Sequence, residues 1–266
     1  MIISLLLAAA LHLEGEPEDW ARTLSGEPLR AAPLDPVLRI VAQEPAAGAP
    51  RKDQNLKLNV ATHVRYAIPF GSADRSEWIY GPGIVVVDQN LSWADFFDPG
   101  WGLDVEIDLF FTDRGSTQSP GLNYGVMLML QTDEFGGERI NGIGNNSVQF
   151  EDMTMNSLLI GGKVLHTLGG GFYADGHFAI GVVHYTAVEG TFSGPALTQF
   201  RDEVFEDTWT FASQFRGHVG YRAGPVGIAF GLGFRVQAPP SEGARISFDS
   251  GAFWTFDLEL GVELGF

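Results

Sequence analysis

Ionisable residues recur at every second position in several stretches of this sequence. Lys57, His63 and Arg65 share one parity, as do Asp104, Glu106 and Asp108, and again Asp257, Glu259 and Glu263. Arg216, Arg222 and Arg235 stand in two further stretches of the same alternating kind. A spacing of two puts such side chains on one face of a strand. The chemistry open to those faces is ion pairing, because a charge withdrawn from water is costly unless a partner lies beside it. His63 with Asp104 and Asp108 also contains the donor types of a metal site, but inward ion pairs explain the same residues more simply. No Ser-His-Asp spacing can be drawn. His184 with Thr186 is the nearest approach to a base and a nucleophile, and His166 and His184 fall on the apolar parity near strand ends. The glycine run at 168–171 lacks the Lys-Ser/Thr and the helix of a phosphate loop, so it reads as a turn. No catalytic residue, metal ligand or cofactor is expected.

A second group on the inward parity is apolar: Met127, Met129, Met153, Met155 and Leu159. If Met129 faces Met153, then Met127 faces Met155, and four of the five methionines of the chain meet in one patch. Ala179, Gly181, Ala229, Gly231 and Gly233 leave room opposite. Methionine adapts to irregular apolar partners. The patch therefore predicts either a pocket for a small hydrophobic molecule or ordinary filling of a core.

The elements that must carry these residues are eight segments of period two, at about 56–70, 101–111, 122–130, 152–164, 172–182, 209–221, 226–236 and 256–266. Most reach the roughly nine to eleven residues that a tilted membrane strand needs, against about five or six for a common soluble strand. The links alternate in length. Those at 71–100, 132–151, 188–207 and 238–251 are long; those at 112–121, 168–170 and 223–224 are short. Face parity is kept by a two-residue turn at 223–224 and a three-residue turn at 168–170. Aromatic residues fall at segment ends. Phe70, Trp101, Trp209, Phe234 and Phe256 form one predicted girdle, and Phe111, Tyr124, Phe172, Tyr221 and Phe266 the other. The long links carry acids (Asp88, Asp95, Asp98, Asp202, Glu203, Glu206, Asp207) that read as solvated. Residues 91–97 predict a helical turn or two, with Trp93, Phe96 and Phe97 capping the mouth or touching lipid.

Composition narrows the classes. The chain has 266 residues, no cysteine and a formal charge of −17. No disulfide framework or thiolate site can form, and the acidity argues against nucleic acid as a partner. After the N-terminus no run of about eighteen apolar residues exists for a helical span. Residues 1–10 read as the apolar core of a secretory signal, with Ala8 and Ala10 at a small-residue cleavage motif. Residues 11–54, broken by Pro28, Pro33, Pro36, Pro45 and Pro50, read as a flexible periplasmic linker. The fold class is thus all-β: an eight-stranded antiparallel up-and-down transmembrane β-barrel over 55–266.

The last segment sharpens this. Phe256, Leu258, Leu260, Val262, Leu264 and Phe266 alternate to the final residue, which resembles the C-terminal signature of bacterial outer-membrane barrels. The eight-segment plan resembles the small barrels of the OmpA, OmpX and OmpW type. The resemblance implies the outer membrane of a Gram-negative-type cell, outer-membrane lipid around the barrel, and the barrel assembly machinery as a partner in biogenesis. Together with the inward ion pairs and the missing Ser-His-Asp pattern, this points to a structural or surface-interaction role, no enzyme activity, and a lumen plugged by charge. The alternatives are a narrow channel or transporter for a small hydrophobic ligand, and a lipid-modifying enzyme. A soluble ligand-binding barrel would instead turn Lys57, Arg65, Asp104, Glu106, Asp257 and Glu259 outward and bury the apolar parity.

Overall fold

The computed structural model describes residues 55–74, 77–80, 84–88, 90–112, 121–195, 197–247 and 250–265. The predicted signal (1–10) and linker (11–54), and Phe266 of the terminal signature, lie outside the described residues. Eight long strands follow one another: β1 (Asn55–Phe70), β2 (Gly100–Thr112), β3 (Gly121–Phe135), β4 (Met153–Gly169), β5 (Phe172–Tyr185), β6 (Thr208–Ala223), β7 (Val226–Gln237) and β8 (Phe253–Gly265). Each pairs antiparallel with its neighbours in sequence, and β8 pairs with β1 to close the cylinder. Closure leaves these strands no free edge, which is what a sheet needs where no water can satisfy its backbone.

The register fixes the dimensions. From Asn59 it leads through Asp108, Met127, Gly161, Ala179, Gln214, Arg235 and Thr255 back to β1 at Pro69, ten residues further along. With about 3.3 Å per residue and about 4.8 Å between strands, that stagger tilts the strands by about 40° and sets a radius of about 8 Å. A cylinder of that radius has an interior just wide enough for side chains or one small ligand.

Parity decides which side chains go where. On β7, Val226, Ile228, Phe230, Leu232 and Phe234 point out and are 44–60 % exposed, while Ala229 between them and Arg235 just after them are buried. The even-numbered residues of β8 likewise face outward and Asp257, Glu259 and Glu263 inward, the reverse of a soluble barrel. The outward apolar run of β7, from Val226 to Val236, covers about 25 Å along the axis at this tilt, the height of a bilayer's apolar band. Rim aromatics pair across strands: Tyr66 with Trp101, Phe70 with Trp254 and Phe234 with Phe256 at the long-loop end, Phe172 with Tyr221 at the other.

Several expectations need correction. β3 runs on to Phe135, beyond the expected end at Leu130, and β8 begins at Phe253, which adds Trp254 to the girdle. Extending β3 changes its register with β4. Met129 faces Leu159, Met127 faces Gly161 and Met153 faces Phe135, so the methionine pairs expected from sequence do not form. The turn between β6 and β7 is Gly224-Pro225, one residue later than expected, with Gly224 at φ 64°. Between β4 and β5 the parity change comes from a bulge at Leu168 followed by Gly170-Gly171. The long links are not plain loops. Ser72–Asp74 pairs with Leu91–Ser92, and Glu77–Tyr80 lies between Ile84–Asp88 and Ile246–Ser247. Arg139–Asn141, Ser147–Phe150, Val188–Gly194 and Leu197–Phe205 form a four-stranded sheet.

Candidate functional site: the barrel interior and its lid

Every strand of the cylinder sends a polar side chain into the same narrow space. Arg65 on β1 is fully buried; its Nη2 meets Asp133 Oδ1 at 2.7 Å, its Nε meets Asp104 Oδ2 at 3.3 Å, and its Nη1 donates to Gln131 Oε1 at 3.0 Å. Arg216 on β6 reaches across the lumen to Asp104 Oδ2 on β2 at 2.7 Å and holds Glu259 Oε1 on β8 at 2.8 Å. Its Nη2 donates to the same Gln131 oxygen at 2.7 Å. Arg235 on β7 likewise crosses to Asp133 Oδ2 on β3 at 2.6 Å. Crossings of this kind follow from the radius, because a guanidinium on one wall is long enough to find a carboxylate on the other.

The chain of contacts continues toward the short-turn end. His218 bridges Glu259 Oε2 at 3.0 Å and Asp175 Oδ1 at 2.9 Å. Lys163 on β4 pairs with Glu106 and, at 3.0 Å, with Asp108 Oδ2. Asn59 donates to Asp108 Oδ2 at 3.1 Å and accepts from Arg222, which also meets Glu263 Oε2 at 2.6 Å. His63 bonds Asp104 Oδ1 through Nδ1 at 2.7 Å and stacks on His218 at 5.0 Å between ring centroids. Each of these two rings lies over a glycine of the neighbouring strand, Gly261 beside His63 and Gly231 beside His218. A Cβ at either glycine would occupy the place of the imidazole. The room that glycine leaves on β7 is therefore taken by rings of the polar network.

The sequence-predicted residues are distributed as follows. His63, Arg65, Asp104, Glu106, Asp108, Arg216, Arg235 and Glu259 lie buried in this network, with Arg222 and Glu263 at its short-turn end. Asp257 is buried beside it, 3.8 Å from Arg65 Nη1. Lys57 is apart, half-buried and cross-strand from Phe110. The pairing expected between β1 and its two neighbours is only a fraction of the whole. Asp133, Lys163, Asp175 and His177, with Gln131, are not among the expected residues, and Gln214 and His218, on the inward parity of the sixth segment, are not assigned to the network by the sequence reading. Parity alone could have found them: Lys163 alternates with outward Val164, Asp175 and His177 with outward Phe178. Met127, Met129, Met153, Met155 and Leu159 are all buried and belong to one apolar cluster, which continues upward into the lid.

At the long-loop end an aromatic cluster, the lid, packs over the strand ends. Ser92 begins a single helical turn, α1 (Trp93–Phe96), and the Asp95 carboxylate accepts from the Ser92 N–H at 2.7 Å and hydroxyl at 2.8 Å. That Ser-x-x-Asp spacing is a capping signal legible in the sequence. The turn drives Trp93, Phe96 and Phe97 into the mouth, where each is fully buried. Trp93 packs on Phe253 at 4.9 Å and donates its indole N–H to the Ala252 carbonyl at 3.1 Å, and Phe96 packs on Phe150 at 4.9 Å. Phe150, Val188, Phe192 and Phe205 reach this cluster from the four-stranded loop sheet. Of the two sequence readings, capping the mouth describes these aromatics and touching lipid does not. At the rim, His184 Nε2 meets Asp207 Oδ1 at 2.7 Å, while the Thr186 hydroxyl bonds the backbone of Thr154.

No protein-family model matches the sequence, and neither does any curated protein. Among solved structures the barrel is similar to the outer-membrane protease OmpT of Escherichia coli, at 10 % identity and a TM-score of 0.44 over 81 % of this chain and 98 % of that one. It is also similar to Neisserial surface protein A, at 8 % identity and a TM-score of 0.36 over 78 % and 96 % of the two chains. A third is a major outer-membrane protein from Thermus thermophilus, at 15 % identity and a TM-score of 0.36 over 80 % and 100 %.

Proposed function

We propose that this chain is an outer-membrane barrel of a Gram-negative-type cell with a closed lumen, working through the surface that its long links present. The observation that carries the reading is the double closure. Arg216–Asp104 and Arg235–Asp133 cross the lumen as fully buried pairs, and the aromatic lid around Trp93 lies over them. A pore would have to break those pairs and strand the charges, at a cost of about 3–5 kcal/mol for each one left alone. The loop sheet, tied to the lid by Phe150, Val188 and Phe205, gives the exposed end a defined shape. A non-enzymatic role belongs to the same proposal; its support is that the Thr186 hydroxyl bonds the Thr154 backbone rather than His184. The apolar-ligand reading is less well supported, since the five inward residues that would line such a pocket are packed against their own neighbours. Single-channel recording of the purified protein in planar bilayers tests the proposal. No steady open level is expected, and a reproducible unit conductance would overturn it.

A further inference from the structure

The interior is short of positive charge. Among the described residues eight carboxylates are buried: Asp104, Glu106, Asp108, Asp133, Asp175, Asp257, Glu259 and Glu263. Four permanently charged bases are buried with them, Arg65, Lys163, Arg216 and Arg235, half-buried Arg222 is a fifth, and His63, His177 and His218 add three imidazoles. The excess of anions over fixed cations in a low-dielectric space must be balanced by protons on the imidazoles or by a further cation. The excess is not spread evenly. Asp104, Asp133 and Glu259 are held by arginines, whereas the quarter around Asp175 has only Lys163.

In that quarter the buried atoms without a hydrogen-bond partner include Asp175 Oδ2, His177 Nδ1 and Glu106 Oε2. Unpaired buried atoms of this kind are rare and each asks for an explanation. His177 Nδ1 and Glu106 Oε2 stand 3.8 Å apart, too far for a hydrogen bond. Asp175, His177 and His218 each offer a ligand atom, all within 4.8 Å of one another. A four-coordinate cation with bonds of about 2.0–2.2 Å holds its donors about 3.3–3.5 Å apart. For those three residues the difference is at most about 1.5 Å; Glu106, outside that group, adjoins it through His177 Nδ1.

We propose that Asp175, His177 and His218, with Glu106 as the fourth donor, bind one divalent transition-metal cation of the zinc type inside the barrel. Two imidazoles and two carboxylates suit a borderline cation better than calcium or magnesium, which prefer oxygen alone. The cation replaces the His218–Asp175 hydrogen bond. The other nitrogen of His218 stays on Glu259 Oε2 at 3.0 Å, the carboxylate partner that orients a metal-bound imidazole. Lys163 occupies the first oxygen of Glu106 and leaves the second free. The neighbouring group of His63, Asp104 and Glu259 has similar donors, but Arg65 and Arg216 already hold both of its carboxylates.

The test uses the untagged full chain refolded into detergent micelles with Zn2+ or Co2+, then dialysed against metal-free buffer. Metal analysis should find about one cation per chain, and the Co2+ form should show the intense visible bands of four-coordination. His177→Ala and Asp175→Asn, checked for folding by heat-dependent gel migration, should each lower retention at least about tenfold. His166→Ala, on the lipid-facing side, should retain the wild-type amount. Fewer than about 0.1 cation per wild-type chain, against the one that a four-ligand site holds, would overturn the proposal and leave protons on the imidazoles to balance the charge. So would a six-coordinate Co2+ spectrum. Retention unchanged in folded His177→Ala and Asp175→Asn would overturn the assignment as well. The wild-type measurement decides even if neither variant folds.

Discussion

Arg65 shows what single residues do in this molecule. It faces Asp104 and Asp133 on two different strands and shares Gln131 with Arg216, with none of these groups open to water. Arg65→Met should therefore destabilise the barrel by about 3–5 kcal/mol, because the carboxylates it leaves remain buried and charged. Urea titration of the refolded barrel in lipid vesicles measures this. Adding Asp257→Asn should recover part of the loss, because among the described residues the Asp257 carboxylate ion-pairs with Arg65 alone, at 3.8 Å; losses that simply add would show that the two residues are not coupled. At this scale much was legible. Parity placed Arg65, Asp104 and Glu259 inside from the sequence alone. Their partners were not legible, because Arg235 finds Asp133 across the lumen rather than an acid on the adjacent β8, and no local rule of spacing reports a contact between opposite walls.

At the scale of elements, the lid and the ion-paired interior are expected to be separable. The strands position the ion pairs by register, whereas the lid depends on α1 and on strands within the long links. Trp93→Ala removes a fully buried indole and its hydrogen bonds to the Gly251 and Ala252 carbonyls. It should cost the lid about 3–5 kcal/mol. Links 71–99 and 238–252 should become sensitive to protease while the barrel keeps its compact, heat-sensitive gel migration. Collapse of both together would show instead that lid and cylinder form one cooperative unit. The eight long strands could be read from alternation because period two is a strong signal over ten residues or more. The short loop strands, such as Ser147–Phe150 and Val188–Gly194, span only 4 and 7 residues. Segments that short owe their form to the partners beside them. The methionine register failed for a related reason. It rested on where β3 stops, and an end is the least constrained part of a strand.

At the scale of the whole molecule the controlling fact is an inverted cylinder, apolar outside and charged within. Leu260 stands halfway along β8, faces outward and is 61 % exposed, between Val64 and Phe230. Leu260→Arg should destabilise the membrane-inserted barrel by about 2–4 kcal/mol, and Trp101→Arg at the rim by no more than about 1. Urea titrations in the same vesicles compare the two, and equal effects would argue against a bilayer centred on this band. What the sequence determined by itself was the strand count, the order of long and short links, and the face each residue takes. All three follow from short-range periodicity and from the need to satisfy backbone and charge locally. Tertiary structure alone decided which acid meets which base, which glycines make room for His63 and His218, and where an unpaired carboxylate oxygen of Glu106 is left beside His177. Those outcomes depend on the stagger of ten residues around the closed sheet. A stagger becomes defined only when the last strand meets the first.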